Sequence, residues 1–322
     1  MIVGGSAFKE GGHGPADLKR LLESVRPAKV EQIVIVDTGA GEEGEAVIVQ
    51  ESQGRVVQGL PPIEVVWFDW CDDFAAARNE SLAYVTTDWF FWADHDDWIE
   101  NPEGLREIIN EVAQDDVGGV WLPYRYAFDE YGNTTTLHDR ERLLRLSVGW
   151  HWERRIHEVL SPHSFVQWAK DDRTAWNHMR GNESHAVRNL PLLLRMVEDN
   201  PDDARVWKDL GNQYFMTGEW PKAIDWYKKY IASQNGVQME RWQCMCYAAR
   251  AYRELGDLQN AHRMDNLALM LIPSWNDAYL GLAQTYALME DWEKTIYWAE
   301  ESRTKDVPSR YLFLNPLEAQ IM

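Results

Sequence analysis

The sequence predicts an α/β domain over residues 1–190 followed by an all-α domain of helical repeats over residues 191–322. Three observations predict it. The first part alternates short β-branched or aromatic runs with helix-patterned segments, as a sheet covered by helices requires. The second part repeats its small and aromatic residues at the period of a helical hairpin, about 34 residues. The change of pattern falls near Asn200-Pro201-Asp202-Asp203, a turn-forming stretch.

Each element of the first part has its own signal. Ala16 to Val25 carries leucines at helical spacing, and Gln32 to Val36 is a compact strand ending at Asp37-Thr38-Gly39. Ile63 to Phe68 reads as a strand. Asp73 to Tyr84 reads as a helix with Asp72 or Asp73 as its N-cap. The apolar run Trp89 to Ala93 fits a buried strand. A helix from about Glu103 to Ala113 and a strand from Gly118 to Pro123 follow.

In the second part, Trp207, Leu210, Gly211 and Tyr214, then Gly218 and Ala223, match the tetratricopeptide pattern. Ala249, Tyr252, Gly256, Ala261 and Pro273 form a second unit, and Ala283 and Tyr286 begin a third, 34 residues after Ala249. Gly211 and Ala249 are 38 apart, which places a small insertion near Ser233 to Gln238. The third unit is degenerate, with Glu290 and Thr295 at the usual Gly and Ala positions. Tyr311 to Met322 resembles the start of another helix, a truncated repeat or a cap.

Composition narrows the function classes. The net charge of −20 opposes non-specific binding to nucleic acid, which depends on neutralising phosphates with Lys and Arg. Residues 1–190 hold 18 Lys and Arg against 33 Asp and Glu, whereas residues 191–322 hold 14 against 19, so the acidity is concentrated in the first part. No apolar stretch is long enough to span a bilayer and no signal-peptide pattern opens the chain, so a cytoplasmic protein is expected. Cys71, Cys244 and Cys246 are odd in number and unpatterned, which favours reduced structural thiols over disulfides or zinc. The 17 tryptophans suit both packing and sugar platforms and decide neither.

The chemistry concentrates where the Trp89 strand ends, at Asp94, His95, Asp96 and Asp97. Ligands of α/β sheets bind at the carboxyl ends of strands. Carboxylates crowded there repel one another unless a cation or a hydrogen-bonded ligand compensates. A divalent cation carrying a phosphate ester fits, because hard cations take oxygen ligands.

The segments Ile33–Gly39, Asp73–Asn79 and Phe91–Asp97, followed by Arg142-Leu143-Leu144-Arg145 and Arg155-Ile156-His157-Glu158, occur in the order seen in bacterial family-2 glycosyltransferases. With the repeats after them, the chain resembles members that carry a C-terminal tetratricopeptide array. The resemblance implies a GT-A nucleotide-sugar-binding fold and a metal-dependent, inverting hexosyltransferase. It implies a UDP-sugar donor and a divalent cation, Mn2+ or Mg2+. By position, Asp37 would hydrogen-bond the uracil or ribose, and Arg78 would lie near the nucleotide. Asp94 would serve the ribose or metal, Asp96 would be the direct metal ligand, and His178 would complete the metal or pyrophosphate site. Glu158 would be the base that deprotonates the acceptor hydroxyl or thiol. The repeats would recruit a peptide or protein acceptor, or a glycan, or form a homodimer.

The chain departs from the family pattern in places. A glycine-rich stretch, Gly11-Gly12-His13-Gly14, replaces the usual first donor loop and lacks the spacing of a P-loop. Ala40-Gly41-Glu42 replaces the usual polar run, and His95 stands where a small residue is common. Plainer roles stay open: a solvated turn for Asp94 and Asp96, a cap for Asp37, a salt bridge for Arg78 and a packed histidine at His178. Asp139 and Asp97 compete with Glu158 as base, and Trp150 and Trp152 either pack or line the acceptor side. Two other functions remain: an interaction scaffold with an inactive transferase domain, and glycosylation of modified DNA bases through Arg140, Arg142, Arg145, Arg154 and Arg155.

Overall fold

The computed structural model describes residues 2–3, 13–178 and 186–306. Most of the glycine-rich loop (4–12) and the segment 311–322 lie outside the described residues. Two compact units divide at residue 184.

In the first unit a three-stranded parallel sheet has the order β1 (Ile2–Val3), β2 (Val34–Asp37), β3 (Glu64–Trp67). Every residue of β2 is buried, as its unbroken apolar run predicts. Helix α1 (Gly14–Val25) turns Leu18, Leu21, Leu22 and Val25 inward, the face that its leucine spacing marks. Helix α2 (Gly41–Val57) is not foreseen by the sequence reading. Its consecutive Val47, Ile48 and Val49 blur the periodicity, and only Ile48 is buried. Asp73 caps α3 (Phe74–Ala83), accepting the Ala76 N–H at 3.0 Å.

A six-stranded mixed sheet forms the rest of this unit. It comprises β4 (Trp89–Phe91), β5 (Asp97–Glu100), β6 (Val117–Phe128), β7 (Thr134–Arg145), β10 (Gln167–Lys170) and β11 (Ala175–His178). Its order is β4-β7-β6-β11-β5, with β10 pairing the first half of β6. Helix α4 (Gly104–Val112) buries Leu105 and Ile108 in a core with Leu122, Leu143 and Trp176. A short hairpin, β8 (Trp150–Glu153) with β9 (Val159–Pro162), stands apart from the sheet and packs Trp150 and Trp152 with Trp92 and Leu144.

The β6–β7 ladder is irregular between Val120 and Trp121. Val120 faces Leu143 while Trp121 faces Glu141, so Arg142 is an extra residue on β7. Such a bulge redirects the side chain it carries.

The second unit is helical: α5 (Ala186–Asp199), then the pairs α6 (Ala204–Met216) with α7 (Trp220–Ala232), α8 (Gln238–Glu254) with α9 (Leu258–Leu271), and α10 (Asp277–Leu288) with α11 (Trp292–Ser302). These are the three repeats; the expected insertion is not in the loop 233–237, which matches the length of 272–276, but in α8, 17 residues long against 13 for α6. Helix α5, which the sequence reading does not separate, belongs wholly to this unit. At Gly211 a Cβ would meet the Tyr227 ring at 2.5 Å, so a small residue is required where α6 crosses α7. The three turns use Gly218 (φ 75°), Gly256 (φ 73°) and Glu290 (φ 59°). The degenerate repeat therefore keeps the left-handed turn without its glycine. Among the described residues no helix is long and apolar enough to cross a membrane.

Candidate active site

The carboxylates after β4 are arranged by a tight turn. The Asp97 N–H donates to the Asp94 carbonyl and the Asp94 N–H donates to Asp97 Oδ2, both at 3.0 Å. β5 then begins at Asp97, and its antiparallel pairing with β11 sets His178 directly opposite. His178 Nδ1 lies 3.4 Å from Asp97 Oδ1 and 3.6 Å from Asp96 Oδ1. Donor atoms of Asp96, Asp97 and His178 all fall within 4.8 Å of one another.

These three residues fit a divalent cation. Carboxylates suit Mg2+ and Mn2+, and imidazole extends the range toward transition metals. His178 is nine-tenths buried, and its Nδ1 makes no formed hydrogen bond. Burial alone would lower the pKa of His178, but the contact with Asp97 and the charges of Asp96, Asp97 and Asp94 raise it. Burial and the neighbouring Asp94 and Asp97 raise that of Asp96, against the opposing charges of His178 and His95. The His178 shift reflects the negative charge of the carboxylates around it, whereas that of Asp96 comes first from burial.

Asp94 is drawn elsewhere. Its Oδ1 accepts from Arg78 Nη2 at 2.6 Å, and Arg78 Nε donates to Glu158 Oε1 at 3.3 Å. One guanidinium thus links the expected donor-side carboxylate to the expected base, and the salt-bridge role open to Arg78 is present. The Arg78 guanidinium carbon lies 4.8 Å and 4.9 Å from the centres of the Trp92 and Trp152 rings, which wedge it in place. Burial would raise the Asp94 pKa, yet the charges of Arg78 and Arg142 and the Arg78 hydrogen bond hold it well below the usual carboxylate range.

Asp37 is buried at the end of β2, and its Oδ1 accepts the N–H groups of Gly39 (2.8 Å) and Ala40 (2.7 Å). It therefore closes the turn that leads into α2 but does not cap the helix, whose N-cap Ala40 carries no side-chain cap. The competing base Asp139 accepts from Lys170 Nζ at 2.8 Å. Trp150 and Trp152 are both buried packing residues. The arginines proposed as a basic patch are largely committed: Arg142 has no solvent exposure, and Arg145 donates to the carbonyls of Val112, Ala113 and Asp115. Cys71, Cys244 and Cys246 are all free thiols.

Sequence reasoning missed Tyr124; it placed Asp97 in the acidic cluster and among the competing bases, and Arg142 in a family motif and a basic patch, but did not link the two. Tyr124 donates its hydroxyl to Asp97 Oδ1 at 3.0 Å, and Arg142 Nη2 lies 3.3 Å from Asp97 Oδ2.

The family model described as "Glycosyl transferase family 2" matches residues 6–175, slightly more than half of the chain. A TPR repeat-containing protein of Synechococcus elongatus is 23% identical over 259 residues, covering 76% of this chain and 60% of that protein. The SPbeta prophage-derived glycosyltransferase SunS of Bacillus subtilis is 24% identical over 234 residues, 70% of this chain and 52% of its own length. The chain thus spans between half and two thirds of these curated relatives. Among solved structures, MamA (MSR-1) gives a TM-score of 0.34 at 21% identity, over 37% of this chain and 67% of that one. Through the matched segment and the order of its motifs, the chain belongs to glycosyl transferase family 2.

Proposed function

We propose that the protein is a cation-dependent, inverting glycosyltransferase that moves a sugar from a UDP-sugar to a peptide, protein or glycan acceptor. The observation that carries this reading is the meeting of two groups at the turn after β4. One is the cluster of Asp96, Asp97 and His178; the other is the Asp94–Arg78–Glu158 chain. A bound Mn2+ or Mg2+ would neutralise the charge that develops on the departing diphosphate. The protein's own residues do the rest. Arg78 places positive charge between the donor carboxylate and Glu158. Glu158 accepts the acceptor proton as the acceptor oxygen or sulfur bonds to the anomeric carbon and the bond to the diphosphate oxygen breaks. The helical hairpins offer a surface suited to an extended acceptor, or to a second copy of the chain.

The test is transfer of radiolabelled sugar from a panel of UDP-sugars to a peptide library, with Mn2+ present. Glu158→Gln should lower turnover by about 100-fold or more, the usual scale of a lost general base, while UDP binding persists. Full turnover in that variant would remove Glu158 from the mechanism.

A further inference from the structure

The three donors that converge on one point include Asp97 and omit Asp94. Asp97 has no solvent exposure, which is an expensive place for a carboxylate without compensation. Its compensation is unusually complete. Oδ2 accepts the Asp94 N–H and faces Arg142, and Oδ1 accepts the Tyr124 hydroxyl. Arg142 is itself caged, with its guanidinium carbon 3.7 Å from the Trp92 ring centre and 4.4 Å from that of Tyr124. Nη1 of Arg142 donates to the Trp92 carbonyl at 2.9 Å, and the Trp92 indole donates back to the Glu141 carbonyl at 2.7 Å. The β7 bulge and the end of β4 are therefore locked to each other. The bulge aims Arg142 at the back of the cluster, and the side of Asp97 that remains is turned toward His178 and Asp96.

We propose that Asp97 is the third ligand of the cation site, beside Asp96 and His178, and that Arg142 is the positioning residue that fixes it there. Asp94 instead orders Arg78. This assignment rests on the donor-site reading above and deepens it. The separations of 3.4 Å and 3.6 Å from His178 Nδ1 to the two carboxylate oxygens suit adjacent ligands of one ion with bonds of about 2.0–2.2 Å. The buried Nδ1 makes no formed hydrogen bond and faces both carboxylates, the placement expected of a third donor to the same ion. Groups behind a metal ligand commonly change affinity by about 10–100-fold when altered, so Arg142 should matter without touching the ion.

The experiment is Mn2+ binding followed by electron paramagnetic resonance on the full chain, with and without UDP. Asp94→Asn should bind Mn2+ within about threefold of the parent, while Asp97→Asn should lose at least the 10–100-fold expected of a mere supporting group. Arg142→Lys should bind about tenfold more weakly and keep the histidine nitrogen coupling. That coupling should be present in the parent, a readout that does not depend on any variant folding. Parent-like binding by folded Asp97→Asn, or an equal loss in Asp94→Asn, would overturn the assignment alone. No Mn2+ binding by the parent in either condition would overturn it together with the donor-site reading. A parent that binds Mn2+ without nitrogen coupling would remove His178, and with it the three-ligand set.

Discussion

Each unit of the molecule buries an arginine–aspartate pair, and the two pairs are built to different ends. In the α/β unit Asp97 accepts hydrogen bonds on both oxygens, from the Asp94 N–H and the Tyr124 hydroxyl, has Arg142 as its ion-pair partner, and lies at the ligand end of the sheet. In the helical unit Asp265 meets Arg253 Nη1 at 2.6 Å and Thr285 Oγ1 at 3.4 Å, all through Oδ2, while Oδ1 has no hydrogen bond. That carboxylate is pressed against Gly281, where a Cβ would meet Oδ1 at 2.3 Å. The first pair has its charge distributed among fixed partners and keeps one side for a ligand. The second fills a gap between two repeats. A buried ion pair by itself is weak evidence of either stability or function; what distinguishes them is the completeness of the partners and the position in the fold.

The largest expected effect comes from removing the cation in the first pair. Arg142→Met should destabilise the α/β unit by about 3–5 kcal/mol, because it leaves Asp97 buried without its counter-charge. Urea unfolding measures this, and a loss below about 1 kcal/mol would show that the cage does not depend on the charge.

The second pair should answer to pH instead. Burial holds the Asp265 carboxyl up at about 7 from an ordinary 3.8, although the charge and hydrogen bond of Arg253 and the hydrogen bond of Thr285 oppose it. Between these values the folded form keeps a proton that the unfolded chain has released. This group's contribution to stability therefore falls as pH rises from about 4 to 7. Its ceiling is about 4 kcal/mol, at about 1.4 kcal/mol per pKa unit. Urea midpoints at pH 5 and pH 8 should show a larger loss in the parent than in Asp265→Asn. Equal losses would mean that the Arg253 contact already satisfies the carboxylate.

The smallest effect sharpens the contrast between two backbone irregularities. The bulge at Arg142 serves the site, whereas the left-handed Glu290 stands at a turn where its two counterparts are glycine. Glu290→Gly should raise stability by about 1 kcal/mol, the cost of a side chain in that conformation. Thermal unfolding that moves downward instead would show that the Glu290 side chain makes a contribution larger than its strain.

The same contrast explains what could be read in advance. The leucine face of α1, the buried run of β2, the cap at Asp73 and the repeat positions from Gly211 to Ala283 depend on local spacing, and sequence carries local spacing directly. Helix α2 escaped because its valines lack a clear stripe. The cluster after β4 was visible as three carboxylates, but which of them faces His178 is decided by the β5–β11 register, set by residues about 80 positions apart. Arg142 was hidden for a related reason. A bulge breaks the two-residue alternation by which a strand's faces are assigned, and nothing in Arg140–Arg145 announces it. Capture of Asp94 and Glu158 by one arginine is likewise a tertiary event.

The most direct test of the account is calorimetric binding of UDP, with and without Mn2+, to the parent and to Asp96→Ala. The account predicts binding that requires Mn2+ and is lost in the variant. UDP binding that ignores both the cation and the substitution, or no binding by the parent under either condition, would contradict it.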